Sequence, residues 1–143
     1  MPLEHVVFDT SVLVAAARSR LGASFALLSA IPSQEFKICL SVSLYTEWQA
    51  VLTRPENIPP GLTVGDVENF LRYLASVAHL QAIHFLLRPF LPDPDDDMLF
   101  ELAVAAGCKY IVTHNIRDFN GSERLGVQAI TPGNFLQLTR RTL

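Results

Sequence analysis

The sequence has few cysteines and no long apolar segment, and each of these absences excludes a class of protein. Its two cysteines, Cys39 and Cys108, lie in apolar strand-like segments without CxxC or histidine spacing. We therefore expect buried hydrophobic residues in a reducing compartment, not a disulfide framework or a zinc site. No window of about 18 residues is both apolar and uncharged, and the N-terminus reaches Glu4 without a basic segment. Membrane and secretory proteins are disfavoured, and the cytoplasm is the expected compartment.

An excess of positive charge is also missing. The chain has 11 Lys and Arg against 14 Asp and Glu, a net charge of −3. Because nucleic-acid-binding domains usually carry a basic surface, this balance argues against a phosphate partner. However, at least five of the acids are candidates for a single site, and a cation bound there would reverse the local charge. These acids are Asp9, Glu47, Asp96, Asp97 and Asp118.

The rest of the chain alternates apolar runs with amphipathic segments. Strands are predicted at His5–Phe8, Phe36–Leu40, Leu80–Phe85, Lys109–Thr113 and Gly126–Ile130. Helices are predicted from Val12 to about Ala30, from Val42 to about Thr53, over Val64–Val77, from Pro94 to a C-cap at Gly107, and from Thr131-Pro132 to Arg141. This alternation predicts one α/β domain over residues 1–143, with three layers (α/β/α) and a central, mostly parallel sheet of about five strands.

Four carboxylates stand together where the helix after residue 93 begins. A helix start gains about 1 kcal/mol from one Asp cap and roughly 0.3–1 kcal/mol from each nearby acid, but four neighbouring acids repel one another. A bound divalent cation would relieve the repulsion, and an over-capped, solvated helix start is the alternative. The four are Asp93, Asp95, Asp96 and Asp97.

Other acids are predicted to reach the same place. Asp9 stands at the carboxyl end of the first strand, Glu47 lies on a largely apolar helix face, and Asp118 follows the fourth strand. In open α/β sheets the carboxyl ends of the strands share one edge, and ligands bind there. A set of carboxylates suits Mg²⁺ or Mn²⁺ and does not suit zinc. Ordinary helix capping by Asp9 and partial exposure of Glu47 are the alternatives.

At these residues the chain resembles a known family. The segments VVFDTSVLVAA and DPDDDMLFELAVAAGCKYIVTHNIRDF, with the helix that carries Glu47, resemble the PIN domain. This nuclease family includes the VapC-type toxins of bacterial and archaeal toxin–antitoxin pairs, and the resemblance covers nearly the whole chain. It implies metal-binding acids at Asp9, Glu47 and Asp96, the last standing eleven residues before Gly107, with Asp97 as a neighbour that could substitute.

The fourth acid departs from the family pattern. The family usually has Thr-x-Asp after this strand, whereas this chain has Thr113-His114-Asn115, with Asp118 one helical turn later. Asn115, Asp118 or both could therefore complete the site.

Hydroxyl side chains accompany the acids. Ser11 stands where the family often has Asn, and Thr10 matches the usual polar residue. Thr10, Ser11 and Thr113 could hydrogen-bond the attacking water or a carboxylate, although helix capping explains Thr10 or Ser11 equally well.

The resemblance implies a Mg²⁺- or Mn²⁺-dependent endoribonuclease. A cation held by Asp9, Glu47 and Asp96 would lower the pKa of a bound water, and a second cation would lie with Asp118 and Asp9. The implied partners are an RNA substrate, a cognate antitoxin and a second copy of the chain, with Val64–Val77 as a candidate dimer contact. Candidate phosphate contacts are Arg18, Arg20 and Arg117.

Two other interpretations stay open. A PIN-like domain without catalysis, serving as a binding module, is favoured by Asn115 in place of the usual acid. A phosphoacceptor receiver domain also places acids at strand ends. It needs paired acids after the first strand and a Lys after the fifth, and the chain has a single Asp9 and Thr131-Pro132 there.

Overall fold

A parallel sheet forms the centre of the fold. In this computed structural model, which describes residues 4–85, 87, 88 and 90–141, the strands are β1 Glu4–Phe8, β2 Phe36–Leu40, β3 His79–Leu80, β4 Tyr110–Val112 and β5 Gln128–Ile130. Their order is β3-β2-β1-β4-β5, and every neighbouring pair is parallel. The predicted α/β/α architecture with a five-stranded sheet is confirmed. The side chains at positions 94, 95 and 141 lie outside the description, and with them the predicted contribution of Asp95.

Within the described residues, six α-helices surround the sheet. They are α1 Thr10–Arg18, α2 Ala23–Ser29, α3 Val42–Leu52, α4 Val64–Val77, α5 Pro94–Ala105 and α6 Pro132–Arg141. Short 3₁₀ helices span Pro55–Asn57, Ile116–Phe119 and Ser122–Leu125. The predicted bounds of α4 are confirmed, and Thr63 and Asp66 close its start in a capping box.

Apolar side chains fix α5 and α6 to the sheet. Helix α5 contacts β1, β2 and β4, and its buried residues include Leu99, Leu102 and Ala103. Helix α6 inserts Phe135 into an aromatic cluster, with ring centroids 5.4 Å from Phe36 and 5.8 Å from Tyr110. Both cysteines are buried, as expected, and carry free thiols in this structure.

The first predicted helix is wrong, because the segment from Val12 to Ala30 forms two helices. Helix α1 ends before the extended Ser19, and α2 starts after Gly22. The two axes are bent by 101°. The bend lets α2 pack on both α1 and α6, which a continuous helix would not reach. Among the described residues, no single helix is long and apolar enough to cross a membrane. Helices α1 and α2 meet this criterion of length and composition only when they are taken together.

The predicted third strand, Leu80–Phe85, is also wrong in its extent. Strand β3 stops at Leu80, and residues 81–85 form no strand. The partner explains this: the Gln81 N–H donates to Leu40 O (2.9 Å), and Leu40 is the last residue of β2. Beyond it β2 turns into α3, so the edge strand has no further backbone to pair with.

The carboxyl edge of the sheet gathers the segments that carry the predicted site. The Asp9 N–H donates to Val112 O (2.9 Å), and the Thr113 N–H donates to Ile130 O (2.9 Å). The residues that follow β1 and β4 are thereby held side by side. Helix α3 leaves the same edge after β2, with Ser41 as its N-cap.

Candidate active site

Asp9 is fixed at the sheet edge by hydroxyl groups. It occupies the N-cap position of α1, but its side chain makes no capping hydrogen bond, so the capping explanation fails. Its Oδ2 accepts hydrogen bonds from Thr113 Oγ1 (2.7 Å) and Ser11 Oγ (3.0 Å). Asp9 is only 8% exposed. One carboxylate oxygen is thus held by the protein, and among the described residues no hydrogen bond reaches the other.

Glu47 is paired with a hydroxyl of α1. The Thr10 Oγ1 donates a hydrogen bond to Glu47 Oε2, which joins the middle of α3 to the first residue of α1. Glu47 is half-buried. A buried carboxylate needs a hydrogen-bond partner, and Thr10 supplies one. The contact also turns Glu47 toward the start of α1, which follows Asp9 directly.

Asp96, in the first turn of α5, has a clearly raised pKa. Burial first, and then the negative charges of Asp118, Asp9, Asp93 and Glu47, together raise the pKa of Asp96 from 3.8 to about 7. Each of these acids therefore lies close enough to Asp96 to disfavour its ionised form. The charges of Asp9, Glu47 and Asp118 therefore all act on Asp96, and the metal site that we predicted from these four acids stays a prediction.

Asp118 and Asn115 occupy different places after β4. Among the four charges that raise the pKa of Asp96, the charge of Asp118 has the largest effect. Asn115 is bound through its backbone, whose N–H donates to Thr113 Oγ1 (2.9 Å), and its side chain makes no capping hydrogen bond. Asp118 is therefore the better candidate for the fourth acid.

Asp97 is placed apart from this cluster. It is fully buried, and its carboxylate accepts hydrogen bonds from the backbone N–H groups of Leu91 (2.8 Å) and Phe90 (3.4 Å). One turn later the buried Glu101 accepts from the Leu87 N–H (2.7 Å). The two carboxylates fasten the preceding segment to α5, and the charges acting on Asp96 do not include Asp97.

Neighbouring acids should therefore respond differently to the same substitution. Asp97→Asn replaces one acceptor oxygen by an amide, leaves a buried backbone N–H unpaired, and should destabilise the fold by about 1–3 kcal/mol. Urea denaturation would measure this, with the exposed capping residue Asp66→Asn as the control. A stability equal to that of the wild-type protein would show that the segment does not depend on Asp97.

A histidine that the sequence did not assign to the site lies beside the cluster. The His114 N–H donates to Ser11 Oγ (3.2 Å), and His114 Nε2 lies 3.0 Å from Ser24 Oγ. Its position after Thr113 is a sequence signal, whereas nothing in the sequence singles out Ser24.

Two of the predicted phosphate contacts differ in their surroundings. The Arg18 guanidinium donates a hydrogen bond to Asn57 Oδ1 (3.1 Å), while Arg117 is exposed.

The chemistry of the acids suits a metal ion better than their placement does. Carboxylate oxygens are the ligands that Mg²⁺ and Mn²⁺ prefer, and the pKa of Asp96 is raised by burial and by the neighbouring negative charges. Within the described part of the chain, however, no three His, Cys, Asp or Glu side chains form a group that could hold a metal ion. The donor type and charge fit a hard cation, but the side chains as placed do not enclose one.

The fold is shared with solved structures. The structure of VapBC-1 from nontypeable Haemophilus influenzae matches with a TM-score of 0.61 at 12% identity, covering 90% of this chain and 98% of that chain. VapBC2 from Rickettsia felis, bound to a DNA fragment from their promoter, matches with a TM-score of 0.59 at 14% identity, covering 89% and 98%. At these identities the likeness concerns the fold. A search of curated proteins finds no significant match.

The sequence itself identifies the family. Residues 5–117 match the PIN domain, a span that runs from β1 to the segment after β4 and includes Asp9, Glu47 and Asp96. The chain belongs to the PIN domain family.

Proposed function

We propose that this PIN domain is a metal-dependent endoribonuclease and the toxin component of a toxin–antitoxin pair. The observation that supports it most is the raised pKa of Asp96, which burial and then the charges of Asp118, Asp9, Asp93 and Glu47 bring to about 7. Acids kept together at such a cost are typical of functional sites. The cytoplasm is part of the proposal, since both cysteines are free thiols.

Each acid has a proposed role. Asp9, Glu47 and Asp96 would hold Mg²⁺ or Mn²⁺, and Asp118 would complete the site. A divalent cation bound there supplies an acidic water near neutral pH and charge neutralisation at the phosphate. The protein contributes fixed ligand oxygens, since hydroxyl groups hold one oxygen of Asp9 and one of Glu47.

The hydroxyl groups are positioning residues in this proposal. Thr113→Val keeps the shape of the side chain but removes the 2.7 Å hydrogen bond to Asp9 Oδ2, together with the acceptor for the Asn115 N–H (2.9 Å). Loss of a group that orients a metal ligand typically costs about 10–100-fold in activity. We expect kcat for RNA cleavage to fall in this range, with Thr53→Val, whose hydroxyl bonds only the Gln49 carbonyl (2.6 Å), as the control. Equal rates of RNA cleavage by Thr113→Val and Thr53→Val would show that Thr113 does not position Asp9.

The proposal is tested by incubating the purified protein with labelled single-stranded RNAs. Parallel reactions contain Mg²⁺, Mn²⁺ or EDTA. We expect internal cleavage with a divalent cation and none with EDTA. Cleavage that persists in EDTA would contradict the metal dependence, and intact RNA in every reaction would contradict the nuclease.

An antitoxin is the proposed protein partner. An apolar groove lies between α1, α2 and α4, lined by Leu13, Phe25, Leu28, Leu62 and Phe70. An apolar groove of this kind suits an apolar segment of a protein partner. A homodimer through the outer face of α4, where Phe70 and Tyr73 are 42% and 44% exposed, is the second proposed assembly.

A catalytically inactive binding module is the second candidate function. It is favoured by the absence, among the described residues, of three acidic, histidine or cysteine side chains arranged to hold a metal. Such a module would leave Mn²⁺ unbound and RNA uncut. The receiver-type alternative fails on topology, because receiver domains have the strand order 2-1-3-4-5 and this sheet has 3-2-1-4-5.

A further inference from the structure

His114 is held beside the acidic cluster by two contacts that reach different elements. Its backbone N–H donates to Ser11 Oγ (3.2 Å), and that same hydroxyl donates to Asp9 Oδ2 (3.0 Å). Its ring nitrogen Nε2 lies 3.0 Å from the buried Ser24 Oγ on α2. The residue itself is exposed. An exposed ring is thus immobilised at the rim of the proposed site.

The other ring nitrogen is available to a ligand. When Ser24 Oγ donates to Nε2, the neutral imidazole carries its proton on Nδ1. In the imidazolium the Nε2–H donates to Ser24 Oγ instead, and Nδ1 is again protonated. Among the described residues, no hydrogen bond uses Nδ1. Ser24 therefore fixes the ring orientation, and in either of these forms Nδ1–H is a free donor.

A polyanionic substrate needs such a donor at this place. The acidic side chains whose charges act on Asp96 also repel RNA phosphates. A cation would offset this repulsion only at the phosphate that it contacts. Several basic side chains are already engaged elsewhere. Arg88 pairs with Glu101 (3.1 Å), and Arg18 bonds Asn57 (3.1 Å). His114 is the donor that the structure both exposes and connects to Asp9.

We propose that His114 donates a hydrogen bond from Nδ1 to an RNA phosphate next to the scissile one, with Ser24 as the residue that positions its ring. This inference rests on the proposed nuclease function and adds a substrate-contacting residue to it. It assigns His114 to substrate binding and not to the chemical step.

Two amide substitutions separate substrate contact from a structural tether. The Asn amide nitrogen occupies roughly the place of Nδ1, and the Gln amide nitrogen roughly the place of Nε2. His114→Asn should therefore keep the phosphate donor and lose the contact to Ser24, whereas His114→Gln should do the reverse. The substrate is a fluorescein-labelled short single-stranded RNA with Mn²⁺, and kcat and KM are measured separately together with the melting temperature.

For His114→Gln we expect KM to rise about tenfold with kcat nearly unchanged, the usual loss for one hydrogen bond to a charged group. For His114→Asn we expect KM within about threefold of the wild-type value, and for Ser24→Ala a rise intermediate between the two. The inference would be overturned, with the nuclease function intact, by an unchanged KM in His114→Gln. A larger rise in KM for His114→Asn than for His114→Gln would overturn it as well. No cleavage by the wild-type protein would remove the proposed function and this inference with it.

Discussion

Asp9→Asn and Asp96→Asn are each expected to lower Mn²⁺-dependent RNA cleavage by more than about 100-fold. Loss of a residue that only orients a metal ligand typically lowers activity by about 10–100-fold. Loss of a ligand itself should therefore lower activity by more. Asn keeps the shape of Asp, and its carbonyl oxygen can still accept the hydrogen bonds that Thr113 and Ser11 give to Asp9. The substitution therefore removes the charge and little else.

Asp66→Asn is the matched control for these two variants. Asp66 is an exposed acid in the capping box of α4, on an element that carries none of the four acids. It should cleave RNA at the wild-type rate, and circular dichroism should show all three variants folded. Wild-type cleavage by both Asp9→Asn and Asp96→Asn would show that the site has been assigned to the wrong residues.

Asp96→Asn is also expected to stabilise the metal-free protein at pH 8 and to have little effect near pH 3.5. The pKa of Asp96 is raised from 3.8 to about 7 in the folded state. Between these values the folded state binds more protons than the unfolded state, so stability falls as pH rises from about 4 to about 7. The Asp96→Asn substitution removes this pH-dependent loss of stability, because Asn does not ionise. Because Asp96 is partly exposed, solvent screening reduces the effect, and we expect about 1 kcal/mol, or about 3 °C in Tm.

Added Mn²⁺ should reverse this order at pH 8. A ligand that binds the folded state raises its stability, so the wild-type Tm should rise with Mn²⁺ while that of Asp96→Asn changes little. Asp97→Asn, whose carboxylate is bound by backbone N–H groups, should keep the response to Mn²⁺. An Asp96→Asn protein less stable than wild type at pH 8 without metal would contradict the raised pKa of Asp96 that burial and the neighbouring charges produce.

The alternation of apolar runs was enough to predict the sheet and most of its helices. This pattern failed to predict the bounds of elements that end because of contacts with segments distant in sequence. Strand β3 ends early because β2 ends at Leu40, and this depends on pairing that no local pattern records. The break at Gly22 lies in a segment with continuous helical spacing, and packing of α2 against α6 determines its direction.

The candidate site was predicted from the rule that parallel strands share an edge. Asp9 and Asp118 follow the adjacent strands β1 and β4, and the charges of both act on Asp96. The roles of Asp96 and Asp97 were harder to separate, because adjacent helix residues point in directions that depend on packing. The contact between Ser24 and His114 joins residues 90 positions apart and carries no sequence pattern at all.

Calorimetric titration with Mn²⁺ at pH 7 tests most directly whether the acids form one cation site. Asp96 would be only partly ionised at this pH, because its pKa is about 7. Cation binding should then release protons, and the measured enthalpy should depend on the ionisation enthalpy of the buffer. We predict binding with this buffer dependence in the wild-type protein and its loss in Asp96→Asn. Absence of Mn²⁺ binding, or equal binding by both proteins, would contradict the account.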